Sequence, residues 1–291
     1  MTFRPTRRAS AAALTASLLG VLAKGAMAQG AGREPNPAPL QFGVMPNVSA
    51  RVLVAQYQPF RTYLEEALSR SVEVVTAPGL QPFHQRTVAG AYGLVVTAAN
   101  LGRVAQLDAG LRPIAIYEPR IPGLLVVHKD RPLLGLAALR GRQVAMTNPQ
   151  SLVALKFVHF ARAGGITIGT DAGAVHARNE DSLAQLLTGP ETPLAVMSRG
   201  EFNAIRPEIR DTLDIWQQFI TVPGFLVMLG ASVRGAEEDR LRAVLARFPA
   251  SEAGQRFFQA TGFRGIRPVT ETDLAELDDV VEETRILLRG G

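Results

Sequence analysis

The 291-residue chain contains no cysteine. That excludes a disulfide framework, a thiolate nucleophile, a thiolate-held metal and a lipid-anchored cysteine. Lysine is nearly missing as well: Lys24, Lys129 and Lys156 are the only ones among 31 basic residues, a bias that fits a GC-rich coding sequence and carries no functional weight. Aromatic residues make up 6%, with a single tryptophan, Trp216. Of the four histidines (His84, His128, His159 and His176) no two are spaced i, i+4, and no His-Glu-x-x-His pattern occurs. No metal site is therefore expected. The Gly-x-Ser-x-Gly elbow, the Walker phosphate loop and Gly-x-Gly-x-x-Gly are all missing too. These gaps remove the usual signs of a hydrolase, a nucleoside triphosphatase and a dinucleotide enzyme. We expect no enzyme and no cofactor.

At the N-terminus, Arg4, Arg7 and Arg8 precede an apolar stretch over residues 11–21, and Ala26-Met27-Ala28 is a small-x-small site before Gln29. The apolar stretch is too short to span a bilayer comfortably, and Lys24 interrupts it. Residues 1–28 are thus expected to be a cleaved secretory signal peptide. The Arg7-Arg8 pair leaves both general and twin-arginine export open. The segment holds four basic and no acidic residues, so the net charge of +5 falls to about +1 without it. Nothing then points to nucleic acid or an anionic membrane as partner. The expected location is the periplasm.

Residues 29–39 are rich in Pro and Gly and read as a flexible leader. Short apolar runs then alternate with helical patterns. Strands are expected over 40–45, 72–76, 92–97, 112–117, 143–147, 174–177 and 194–197. Helices are expected over 49–69, with Val52, Tyr63, Leu64 and Leu68 on one face, and over 83–89, 100–109, 152–163, 237–247, 252–260 and 271–288. This alternation implies parallel β-α-β units. Two segments spell nearly the same phrase, Ile121-Pro122-Gly123-Leu124-Leu125-Val126-Val127 and Val222-Pro223-Gly224-Phe225-Leu226-Val227-Met228. Each is a Pro-Gly bend feeding a buried strand. They are expected to be hinge strands by which the chain crosses into a second lobe and returns. The fold class is α/β, a two-lobed clamp. Residues 40–120 and 225–291 would form one lobe, and 121–224 the other with the hinge strands.

In open α/β sheets, ligands bind beyond the carboxyl ends of strands, where helix N-termini present backbone N–H groups. That rule selects Asn47 with Ser49, Thr97 with Asn100, the run 147–151 containing Asn148, Gln150 and Ser151, and Ser198 with Arg199. Capping a helix is the commoner role for any one of these residue types. Tyr117 lies just before the first crossing. His176 follows a short apolar segment and precedes a polar loop. His159, between Val158 and Phe160, reads as structural.

With these elements in order, the chain resembles the periplasmic solute-binding proteins of ABC importers, in particular the phosphate/phosphite/phosphonate-binding group. The resemblance spans about 40–285. It is carried by Leu40-Gln41-Phe42-Gly43-Val44-Met45-Pro46, by Gln58-Pro59-Phe60 with Tyr63-Leu64, by 136–145 with Arg140-Gly141-Arg142, by Val175-His176 and by Gly265-Ile266-Arg267-Pro268-Val269. The chain also departs from the family pattern. Gly93 stands where the family has an Asp, and Thr97-Ala98-Ala99 replaces a Gly-Pro. The family's Ser-Thr-Ser-Gly anion loop reads Ser151-Leu152-Val153-Ala154, and Thr192 or Pro193 replaces an acidic residue. The resemblance implies a type II-like receptor, monomeric, that captures a small anionic solute by hinge closure and delivers it to an inner-membrane ABC permease. The alternative is a sensing or partner-binding module of a periplasmic signalling system that has lost phosphonate specificity.

Overall fold

The structure, a computed structural model, describes residues 38–146 and 148–290. The expected signal peptide, most of the leader and Thr147 lie outside the described residues. The chain first lays down β1 (Leu40–Val44), α1 (Ala50–Leu68), β2 (Val72–Val75), α2 (Leu80–Val88), β3 (Leu94–Thr97), α3 (Ala99–Ala109) and β4 (Arg112–Glu118). A second group follows: β5 (Ile121–His128), β6 (Gln143–Met146), α4 (Leu152–Ala163), β7 (Gly173–His176), α5 (Glu180–Leu186), β8 (Leu194–Ser198), α6 (Arg199–Ala204), α7 (Pro207–Arg210) and β9 (Leu213–Val222). The chain then returns as β10 (Leu226–Leu229), α8 (Ala236–Arg247), α9 (Glu252–Thr261), β11 (Gly265–Pro268), α10 (Glu271–Ala275) and α11 (Val281–Arg289).

The strands form two sheets, one per lobe. The first has the order β11-β4-β10-β3-β1-β2 and the second β7-β6-β8-β5-β9. In the first, β1, β2 and β3 run parallel, as their helical connections require, and β10 inserts antiparallel between β3 and β4. In the second, β6, β7 and β8 run parallel, while β5 runs antiparallel to both β8 and β9. This is the two-lobed α/β architecture.

Strand alternation divides the first core. Phe42 and Val44 of β1 pack into a cluster with Tyr57, Phe60, Phe248 and Phe257, whereas Met45 joins Phe83, Tyr92 and Val95 on the other face. The buried face of α1 is Leu53, Tyr57, Phe60, Leu64 and Leu68. That corrects the expected face: spacings of three and four select these positions, and Val52 and Tyr63 stay half-buried at its flanks. Phe60 stacks on Phe248 with centroids 3.9 Å apart, while Phe42 and Phe257 meet it edge-on. The cluster on that other face is shared by both lobes. It joins Val95 and Met228 of the first sheet to Leu125, Val127 and Val144 of the second, together with Leu274, Leu277 and Val280 near the C-terminus.

The two Pro-Gly phrases turn out not to be equivalent. The first crossing is the turn at Pro119-Arg120, and Pro122-Gly123 already lies inside β5, paired with Thr221 and Ile220 of β9. The second crossing is Pro223-Gly224-Phe225 itself, between β9 and β10. Each glycine is required by a close approach. A Cβ on Gly224 would collide with the carbonyl oxygen of Tyr117, whereas one on Gly123 would meet the Ile220 side chain at 2.7 Å and the Phe219 ring at 3.0 Å.

The expected last helix, 271–288, is broken into α10, a 3-10 turn at Asp278–Val280 and α11. The break has a physical reason. Leu274, Leu277 and Val280 bury into the shared core, while Asp278 and Asp279 turn outward to Arg103 and Lys156 at 2.8 and 2.6 Å.

Candidate functional site

Strand direction decides which ends of the two sheets face the crossings. In the first sheet the carboxyl end of β3 is Thr97, paired with Leu226, the first residue after the second crossing. In the second, the carboxyl end of β8 is Ser198, paired with Gly123, just after the first crossing. The carboxyl edges of both parallel sets therefore meet at the seam between the lobes, with the start of α3 on one side and the start of α4 on the other.

Asn100 and Gln150 are brought together there. Asn100, in the first turn of α3, is fully buried, and its Nδ2 donates to the backbone carbonyl of Gln150 at 3.0 Å and to Thr284 Oγ1 at 3.2 Å. Gln150 in turn donates from Nε2 to the Leu287 carbonyl at 3.2 Å. Thr97 is buried beside Asn100. Asn148 and Ser151 build the start of α4: Asn148 Oδ1 accepts from Gln150 N at 2.8 Å, and Ser151 Oγ accepts from Ala154 N at 3.1 Å. Leu152, Val153 and Ala154 are buried, so the apolar replacements of the family's hydroxyl loop are packed into the protein.

The remaining candidates are placed differently. Asn47 and Ser49 are exposed, and the Ser49 hydroxyl makes no capping bond. Ser198 and Glu201 form a reciprocal capping box at 3.2 and 2.7 Å, and the Arg199 guanidinium stands 5.9 Å over the Phe202 ring. Tyr117, expected near the cleft, is instead in the aromatic core of the first lobe, edge-on to Phe257 and Phe263, with its hydroxyl 3.4 Å from that of Tyr57. Burial raises the pKa of both phenols, so both stay neutral. An apolar tyrosine at a strand end looks the same from sequence whether it lines a cleft or fills a core.

His176, the last residue of β7, is exposed and lines a groove of about 290 Å³ whose other walls include Met146, Pro149, Ala154, Glu283 and Leu287. The groove lies between the second lobe and α11. His159 Nε2 meets Glu283 Oε2 at 2.7 Å on the same helix pair. His84 is buried in the first lobe, and burial lowers its pKa. Among the described residues, no group of three or more acidic or histidine side chains could hold a metal ion, and no helix is long and apolar enough to cross a membrane.

The C-terminal segment is the part of this seam that sequence reasoning missed. It is fixed to the first lobe by Arg103–Asp278, by Arg285–Asp108 and by Gln81 Nε2 donating to the Leu288 carbonyl at 3.1 Å. It meets the second through Lys156–Asp279 and His159–Glu283. One available signal was Thr284, a polar residue in the stripe formed by Val280 and Leu287.

A family profile described as the periplasmic substrate-binding protein of a phosphonate ABC transporter matches residues 42–274. The chain belongs to this family. It is thus a periplasmic substrate-binding protein of the ABC-transporter class, which places it outside the cytoplasm. Among curated proteins, no sequence matches the chain. Solved structures share the fold. PhnD1 of Prochlorococcus marinus, in complex with methylphosphonate, superposes with a TM-score of 0.74 at 14% identity, covering 86% of this chain and 99% of its own. XAC2383 of Xanthomonas citri, bound to chloride, gives 0.72 at 20% identity, covering 85% and 98%. The aliphatic sulphonate-binding protein SsuA of Escherichia coli gives 0.63 at 16% identity, covering 86% and 94%.

Proposed function

We propose that this substrate-binding protein captures a small organic oxyanion between its lobes and delivers it to an inner-membrane ABC permease. The contact that carries this reading is Asn100 of the first lobe reaching the Gln150 carbonyl at the start of α4 in the second. It puts the carboxyl edge of one sheet against a helix N-terminus of the other. A 12-residue helix offers the partial positive charge of its first turn and unpaired backbone N–H groups to an anion. Ser151 and His176 are the side chains that assist. The groove alongside, with Ala154 and Leu287 in its walls, takes the organic substituent. Glu283 on its rim disfavours a second anionic group. Rotation about the two crossings is the event the permease senses.

A second reading has one observation in its favour. Leu152 and Val153 stand, buried, where the family carries hydroxyls, which fits a receptor that now serves a signalling partner. A thermal-shift screen against phosphonates, phosphite, sulfonates and carboxylates tests the first reading. A true solute at a hundred times its dissociation constant adds about 2.7 kcal/mol of stability. Silence from every oxyanion in the screen would leave the signalling module as the better account.

A further inference from the structure

The chain from Glu271 onward is bonded to both lobes, and the two sets of bonds differ in kind. Toward the first lobe it is anchored firmly. Arg285 makes a two-bond pair with Asp108, Arg103 Nε donates to Asp278 at 2.8 Å, and Gln81 Nε2 donates to the Leu288 carbonyl at 3.1 Å. Thr284, fully buried, accepts from Asn100 at 3.2 Å. Toward the second lobe it meets α4 and its approach. Lys156 Nζ lies 2.6 Å from Asp279, His159 Nε2 lies 2.7 Å from Glu283, and Gln150 Nε2 donates to the Leu287 carbonyl at 3.2 Å. Lys156 and His159 are three apart, and Asp279 and Glu283 four apart, so one face of each element is turned to the other. The adjacent carboxylates Asp278 and Asp279 serve opposite lobes.

Beneath these pairs the two helices do not interlock. Leu155 and Val158 of α4 and Ile286 and Leu287 of α11 line the groove of about 290 Å³, and Ile286 is still 56% exposed. A contact closed by packing would bury such side chains. This one is held by partly exposed polar pairs over an open groove, so it can part without tearing a core.

We propose that this segment is a strap that moves with the first lobe and holds the second shut through α4, with Lys156–Asp279 and His159–Glu283 as the bonds that release. All of these bonds are made by the chain itself, so the strap favours the closed arrangement independently of any solute. It sets how much closed form a solute-free receptor presents to the permease. The proposal rests on rotation about the crossings and not on the identity of the solute.

Electron-electron distances between spin labels at Leu134→Cys and Val54→Cys, recorded on the protein with no solute added, test the strap. At low salt we expect a distribution dominated by its shorter component. Asp279→Asn combined with Glu283→Gln should raise the ratio of long to short component about fivefold, because each partly exposed pair contributes modestly and two act together. Lys156→Ala, made from the other side of the contact, should raise it about twofold. Sodium chloride at about 0.5 M should move the wild-type distribution the same way and leave the double variant nearly unchanged. The salt series needs no substitution beyond the labels, so it decides the question even where the double variant misfolds. A wild-type distribution insensitive to salt, or a folded double variant that matches the wild type, overturns the strap and leaves the hinge intact. An equal salt response in both proteins overturns it as well. A single distance in every sample would overturn the strap together with rotation about the crossings.

Discussion

At the first crossing between the lobes, Pro119 and Arg120 are exposed and held by charge, while at the second, Pro223 and Gly224 are buried and held by packing. Glu118 pairs with Arg267 at 2.9 Å and Arg120 with Glu276 at 2.8 Å, so both flanks of the first crossing are tied to the segment around β11 and α10. The second crossing lies against the Tyr117 backbone, and Phe225 packs with Tyr117 and Phe263. Tyr117 N also donates to the Phe225 carbonyl at 2.9 Å. Ion pairs in water re-form easily after a rotation; a buried glycine against a carbonyl tolerates little. The contrast points to the second crossing as the fixed axis and the first as the compliant one.

The largest expected effect breaks the buried crossing. Gly224→Ala puts a methyl group onto the Tyr117 carbonyl, a backbone atom that cannot step aside, and should cost about 3 kcal/mol or more. Gly123→Ala meets only the Ile220 and Phe219 side chains, which can move, and should cost about 1 kcal/mol. Urea melts of the two variants check the order. Equal losses would erase the distinction between the two Pro-Gly pairs.

That distinction was not legible in the sequence, where the two phrases look like twins. What was legible is the alternation of strand and helix, because burial of successive strands leaves a period in the chain. The division into two sheets followed from the long excursion between matching strands. The glycines' separate roles, the burial of Tyr117 and the broken C-terminal helix depend on neighbours 100 or so residues distant, which no local pattern records. Five of the candidate residues, Thr97, Asn100, Asn148, Gln150 and Ser151, sit at the seam because the carboxyl-end rule depends on strand direction, which alternation does reveal. Ser198, at the carboxyl end of β8, also caps α6.

A smaller effect, and one that depends on pH, is expected at the first crossing. Arg267 makes two bonds of 2.7 Å to Asp273, a nearly buried carboxylate that also closes a capping box with Thr270. The Arg267 guanidinium, helped by the Thr270 backbone N–H and hydroxyl, holds the Asp273 carboxyl well below the usual carboxylate range, against the opposing effect of burial. A depressed carboxylate contributes stability that is fully present above its unfolded pKa of about 3.9 and fades as the pH falls below it. Asp273→Asn should cost about 2 kcal/mol near neutrality. The gap from wild type should shrink in progressively stronger acid. A gap that stays constant with pH would mean the pair contributes through packing alone.

The third tie, between the 3-10 turn at Asp278–Val280 and the second lobe, is weaker. Lys156→Ala removes the 2.6 Å bond to Asp279. It should change stability by about 0.5–1 kcal/mol at low salt and less at high salt. The smallest effect is expected at Glu276→Gln, whose partner Arg120 is half exposed: under about 0.5 kcal/mol. A loss at Glu276 as large as that at Gly224 would reverse the assignment of fixed and compliant crossings.

The absence of cysteine makes the central claim directly measurable. Leu134→Cys in the second lobe and Val54→Cys on α1 of the first place spin labels at exposed positions, 97% and 49% accessible. Electron-electron distance measurements are then made with and without the solute that gives the largest thermal shift. A clamp that closes about two crossings predicts a broad or two-population distribution that collapses to its shorter component when the solute binds. A distribution left unchanged by a solute that calorimetry shows to be bound would contradict capture by hinge closure.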